Sequence, residues 1–172
     1  MMSWSEQGQE QHERIHGPLV SGYEDELTLG PVLASEAYKG WLADPSVTRY
    51  LEATQALSIP SIEEYIRARD KDSFFKGIYL GTWHIGNIKA GPVDWRHKHA
   101  DIGIMIGEKW AWGHGHGTEA IRLMVEYCWE RKLHMVTAGI IEGNVASHKA
   151  FLKNGFVEIG RFPEFRRFEN EC

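Results

Sequence analysis

The chain is short of several features, each of which would have pointed to a class of protein. Cysteine occurs only twice in 172 residues, as Cys128 and Cys172. One lies inside a helical pattern and the other is the last residue. They make no disulfide framework and point to a reduced, cytoplasmic setting. No cationic stripe is present. The net charge is −5 and the densest basic cluster is Arg166-Arg167, which argues against a nucleic-acid partner. No apolar run approaches the roughly 20 residues that span a bilayer, so no membrane partner is expected. The opening "MMSWSEQGQEQHERIHG" is polar throughout and lacks the apolar stretch of a secretory signal. Internal repeats and long linkers are also missing. One domain is expected, over residues 25–172, behind a polar N-terminal arm over residues 1–24.

What is present is a change of period along the chain. "ELTLGPV" alternates as a strand and ends at a Gly-Pro breaker. "ASEAYKGWLADP" sets Ala34, Tyr38, Trp41 and Leu42 at helical spacing, and "SIPSIEEYIRARD" does the same for Ile62, Tyr65 and Ile66. Three aromatic and β-branched runs follow, "FFKGIYL", "WHIGNIKAG" and "ADIGIMIG". They are separated by turn and loop, which predicts an antiparallel meander. The strongest helix spans Thr118 to about Arg131, with Ala120, Leu123, Met124, Tyr127 and Cys128 on its apolar face and Ile121 alongside. "MVTAGII" reads as a buried strand. "NVASHKAFLKNGF" reads as a helix capped by Asn144 and closed by Gly155, and "VEIGRF" as a last strand. The order predicts a mixed α/β (α+β) sheet.

"WGHGHGTEA" stands immediately before the strongest helix and supports two readings. His114 and His116 suggest a metal, and His97 and His99 form a second such pair. Zinc needs three or four ligands, and no cysteine or carboxylate lies in the glycine run, so no metal is expected. The histidines also read as two exposed loop side chains. The other reading is a phosphate cradle. Gly113, Gly115 and Gly117 allow backbone conformations and approaches that a Cβ would block. A helix N-terminus offers unpaired N–H groups and the positive end of its dipole, and Thr118 adds a hydroxyl. The P-loop pattern is absent, and the run does not open an N-terminal βαβ unit.

Trp112-Gly113-His114-Gly115-His116-Gly117, followed by Thr118-Glu119-Ala120, resembles the pyrophosphate loop of the GNAT N-acetyltransferases. Asn144, Ser147, Phe151, Lys153, Gly155 and Phe156 match a second motif of that family. The form is similar to the branch that holds ribosomal-protein and amino-sugar acetyltransferases. The resemblance covers roughly residues 26–162. It implies a single-domain fold with a mixed, mostly antiparallel sheet of six to seven strands, splayed centrally, and about four helices. It implies acetyl-CoA as acyl donor, held by Ile104, Met105 and Ile106 of the central strand and by residues Trp112 to Thr118. Asn144, Phe151 and Lys153 would lie near the same cofactor. Asn144 also reads as a plain helix cap, Phe151 as core and Lys153 as a solvated helix face.

The reaction implied is attack of a neutral primary amine on a thioester, which calls for a base. Asp101 opens "ADIGIMI" where relatives often carry Glu, and alternation puts it on one face with Gly103 and Met105. His84 and His97 are alternative bases. Phe151 stands where the family often has a Tyr acid, and a phenyl ring has no proton to give. Tyr50, Trp83, His84, Asp94, Trp95, Arg96, His97 and His99 are expected to line the acceptor pocket. Their mixed chemistry suits an amino-sugar nucleotide. A protein N-terminus and an aminoglycoside are rival acceptors, and a non-catalytic acyl-CoA-binding module is the rival of another class. A monomer or homodimer is expected.

Overall fold

The computed structural model describes residues 26–51 and 58–162. The arm expected over residues 1–24 lies outside them. Five strands form one sheet in chain order: β1 (Leu27–Gly30), β2 (Phe74–Leu80), β3 (Trp83–Ala90), β4 (His99–Ile106) and β5 (Met135–Thr137). β1 through β4 are antiparallel, and β4 pairs with β5 in parallel. Five helices complete the described residues: α1 (Glu36–Ala43), α2 (Pro45–Thr48), α3 (Ile59–Asp70), α4 (His116–Glu130) and α5 (Val145–Lys153).

The helix starts follow local chemistry. Ser35, Asp44, Ser58 and Asn144 each accept a hydrogen bond from a backbone N–H in the first turn of the helix they precede. Pro45 ends α1, as its position predicts, and also opens α2. A proline at the first helical position loses an N–H that had no partner anyway. α4 starts at His116, two residues before the predicted start, with Gly115 as its cap.

The sheet carries a helical layer on each face. On one side Ala120, Ile121, Met124 and Cys128 of α4 pack against Ile78, Ile85, Ile88 and Ile102 to make the main core. Ile121, beside the predicted stripe, is fully buried, while Leu123 is only half-buried. On the other side Tyr38, Trp41 and Ile62 of α1 and α3 form a second cluster that Met105 joins. Burying each of these large side chains contributes roughly 1.5–3 kcal/mol relative to exposure, so the sheet is held from both faces.

The strand count is lower than the six to seven expected. "VEIGRF" forms no strand among the described residues, and Val157 and Ile159 stay 75% and 83% exposed. Alternation makes a segment able to be a strand, but only a hydrogen-bonded neighbour makes it one. "MVTAGII" is likewise strand only over its first three residues, which are the ones that face β4.

Candidate functional site

β4 and β5 part company after three pairs, His99 with Met135, Ala100 with Val136 and Asp101 with Thr137. Beyond Asp101 the edge of β4 has no strand beside it among the described residues. The antiparallel ladder with β3 decides which groups that edge shows. Gly91 N donates to Asp101 O at 2.9 Å, and Gly107 N donates to Ile85 O at 2.8 Å. These anchor an alternation in which Asp101, Gly103 and Met105 turn their backbone groups to β3. Ile104 and Ile106 therefore turn theirs into the opening. Met105, expected to share that role, is engaged with Asn87 of β3 instead. Trp112 Nε1 donates to Ile106 O at 2.9 Å, tying the glycine loop to the end of β4.

The loop itself is shaped by backbone conformation. Gly113 and Gly115 sit at φ of +75° and +82°, and a Cβ at either would meet only open space. Their glycines answer to the left-handed region that side chains resist, not to crowding. Gly115 has no side chain to cap α4, so no cap side chain covers the N–H groups in the first turn of that helix. With the helix dipole behind them they form an anion cradle above the open edge of β4. Gly117 rests near Ile104 Cδ1 and Ile106 Cγ1, which sets the cradle directly over that edge. The rings of His114 and His116 lie 5.9 Å apart, and among the described residues no three His, Cys, Asp or Glu side chains converge as metal ligands.

Asn144 caps α5 through Ser147 N at 3.3 Å. Phe151 is buried in the main core against Phe156, and Lys153 is exposed at the end of the same helix.

The opposite face of the sheet, under α1 and α3, carries the titratable groups. Asp101, Gly103 and Met105 share this face with Lys89 and Asn87, which stand across the β3–β4 ladder. A Cβ on Gly103 would meet nothing within 4 Å, so the floor between Asp101 and Met105 is open. Lys89 faces Gly103 and is diagonal to Asp101. Its half-burial, then the positive charge of Arg69, push its ammonium below the usual lysine value, with Asp72 and Asp101 offsetting part of this. Neither Lys89 nor Arg69 forms an ion pair with a carboxylate among the described residues.

His84 reaches this face through an irregularity. Ile78 pairs with Gly86 and Tyr79 with His84, so Ile85 is an extra residue bulged out of the ladder. Regular alternation would put His84 and Asn87 on opposite faces. The bulge puts them together, with His84 Nε2 2.8 Å from Asn87 Oδ1. His84 stacks on Tyr79 and meets Trp41 edge-on. Burial pushes its pKa down, and its Nδ1 and Asn87 Nδ2 are buried without a hydrogen-bond partner.

The remaining predicted acceptor residues do not come together. Trp83 opens β3 beside the Ile106 end of β4, whereas the loop from Asp94 to His97 joins the far ends of the two strands. Asp94 builds that loop, accepting from Arg96 N and His97 N at 3.0 Å and meeting His97 Nδ1 at 2.7 Å. Trp95 turns to the α4 side and packs on Phe74. Tyr50 does approach the opening, its hydroxyl donating to Gly143 O at 3.0 Å across the gap between α2 and the β5–α5 connection. Lys89 and Thr137 were not singled out from the sequence. Strand parity with Asp101 could have found Lys89 once the β3–β4 register was known, but nothing local marks Thr137.

A sheet split between two parallel strands, with the glycine-capped start of a helix over one lip and a carboxylate at the apex, fits the class of acyl-CoA-dependent acyltransferases. The chain belongs to the acetyltransferase (GNAT) domain family, which matches it over residues 26–157. It is an N-acetyltransferase with acetyl-CoA as donor, and its glycine loop and open strand edge fit that cofactor. The fold is shared with a spermidine N-acetyltransferase from Vibrio cholerae in complex with CoA and spermine. That pair is 19% identical with a TM-score of 0.69, covering 78% of this chain and 82% of the other. RimJ of Mycobacterium smegmatis, in complex with CoA-disulfide, is 23% identical with a TM-score of 0.68 over 80% of this chain and 73% of its own. The microcin C7 self-immunity acetyltransferase MccE, in complex with acetyl-CoA and AMP, is 19% identical with a TM-score of 0.67, covering 79% of this chain and 81% of the other. No helix among the described residues is long and apolar enough to cross a membrane.

Proposed function

We propose that this acetyltransferase acts in the cytoplasm, as a monomer or homodimer, on the primary amine of an amino-sugar nucleotide. The observation that carries the reading is the open floor at Gly103, walled by Asp101 on one side and by Lys89 on the other. A polyamine calls for carboxylates all round, and a lysine without an ion pair repels it. An acceptor that carries an amine and an anionic group satisfies both walls. The similar MccE holds AMP together with acetyl-CoA, so this fold accommodates a nucleotide beside the donor.

Bound acetyl-CoA supplies the thioester electrophile. The amides at the start of α4, from His116 to Thr118, would hold its pyrophosphate, and the backbone groups of Ile104 with the N–H of Ile106 would hold its pantetheine arm. Asp101 removes the proton that an ammonium must lose before nitrogen can attack. Phe151 has no proton to give and contributes packing, so the leaving thiol would take its proton from another donor or from water, or leave as a thiolate steadied by strand amides.

The test is CoA thiol release from a panel of a UDP-linked amino sugar, spermidine, an alanyl peptide and an aminoglycoside. Saturable turnover of the sugar nucleotide is expected, and turnover of peptides or spermidine alone would overturn the acceptor class. Lys89→Glu should lower kcat/KM for the sugar nucleotide by roughly tenfold or more, the scale of one lost charged hydrogen bond, and raise that for spermidine.

A further inference from the structure

The last residue pair before β4 and β5 part carries a hydrogen-bonded chain that the sequence did not announce. Thr137 Oγ1 is 2.7 Å from Asp101 Oδ1, and His99 Nε2 is 2.8 Å from the same Thr137 Oγ1. His99 and Asp101 are two apart on β4 and so share a face, and parallel pairing sets Thr137 beside Asp101. The direction of each bond follows from proton count. An ionised carboxylate only accepts, so Thr137 spends its one hydroxyl proton on Asp101. Its oxygen can then only accept from His99, which must carry its proton on Nε2. Neutral His99 is thereby confined to the Nε2–H tautomer, with Nδ1 as its basic atom. This polarity is opposite to that of a nucleophilic triad. The imidazole donates to the hydroxyl and cannot take its proton, so Thr137 is no nucleophile.

We propose that Thr137 and His99 are positioning residues for Asp101. The chain occupies one carboxylate oxygen, holds the side-chain torsion, and leaves Oδ2, which has no hydrogen-bond partner among the described residues, to meet the acceptor amine at the apex of the split. Asp101 acts on Lys89 across the β3–β4 ladder, where Arg69 of α3 and Asp72 just beyond it also act, and the backbone of Asp94 bridges to His99. The assignment rests on the reading of Asp101 as base, and two independent measurements separate the two.

The first is the nitrogen-15 NMR spectrum of the His99 imidazole in the full-length protein. It should show the Nε2–H tautomer in wild type and lose that strict preference in Thr137→Val. A dominant Nδ1–H form in wild type would require Thr137 to donate to His99, and would overturn the proposal whatever Asp101 does. The second is turnover of the same acceptor panel. Thr137→Val should lower kcat about tenfold, the scale of a lost hydrogen bond to a charged group, with KM for acetyl-CoA unchanged. Thr137→Ser should restore it. If Asp101→Asn is inactive while Thr137→Val turns over like wild type, the positioning role fails and the base stands. If Asp101→Asn turns over like wild type, the base and the positioning role that depends on it both fail.

Discussion

Gly115 shows how far one residue carries the cofactor site. Its φ of +82° is a conformation that a β-branched residue resists, and it sits where α4 begins. Gly115→Val should therefore abolish acetyl-CoA binding by calorimetry, through ~1–3 kcal/mol of backbone strain and a displaced set of N–H groups. A chelator should leave binding unchanged, and loss of binding on chelation would return His114 and His116 to a metal role. The residue scale was legible here because glycine spacing before a helix is a local signal. The place of Asp101 on β4 was legible from the alternating run, whereas its reading as a base came from the family resemblance. Thr137 and Lys89 were not legible. Each matters only through a partner on another strand, and nothing in "MVTAGII" or "NIKAG" records which strand that is.

At the scale of elements, α4 joins the two halves of the mechanism. Its N-terminus supplies the cradle, and its buried stripe locks it to the sheet that supplies the open edge. Met124 is fully buried at the centre of that stripe. Met124→Ala should cost ~2–5 kcal/mol in urea unfolding, by lost burial and the cavity left behind. A loss below 1 kcal/mol would mean that α4 is held in some other way. Helices were well read because their caps and periods are written within ten or so residues. Strands were read where they pair with chain neighbours and misread where they do not. "FFKGIYL", "WHIGNIKAG" and "ADIGIMIG" pair in sequence order and were found. "VEIGRF" has the same alternation but no strand partner among the described residues. The Ile85 bulge that brings His84 to Asn87 left no mark that alternation could detect, since it is a misfit between two strands.

For the whole molecule, the question is what ties the α1–α2 layer to the far side of the split. Lys109 Nζ meets Asp44 Oδ2 at 2.6 Å, joining the start of α2 to the turn that follows β4, and Trp41 Nε1 donates to Glu108 Oε1 at 3.0 Å beside it. Hydrogen bonds from Lys109 and from the Ser46 side chain and backbone hold Asp44 down at about 2. An ordinary carboxylate titrates at ~3.9, so the stability that Asp44 contributes is complete above about pH 4 and is lost as pH falls through about 2. The Tm of Asp44→Asn should lie below that of wild type at neutral pH and converge with it between pH 4 and 2. Asn keeps the capping oxygen, so the charge is the quantity tested. The difference should shrink in high salt, because the pair is exposed. A gap in Tm that persists at pH 2 would assign the effect to packing.

The sequence by itself determined the three meander strands, the helices α1, α3, α4 and α5 in their order, the glycine loop and the carboxylate near the start of β4. Those depend on caps, periods and backbone conformations that act over a few residues. The tertiary structure decided where β4 and β5 separate, which amides of β4 are left free, and which side chains meet Asp101 at the apex. Those depend on register between segments as distant as Asp101 and Thr137, and register is set by the packing of the whole sheet between its two helical layers.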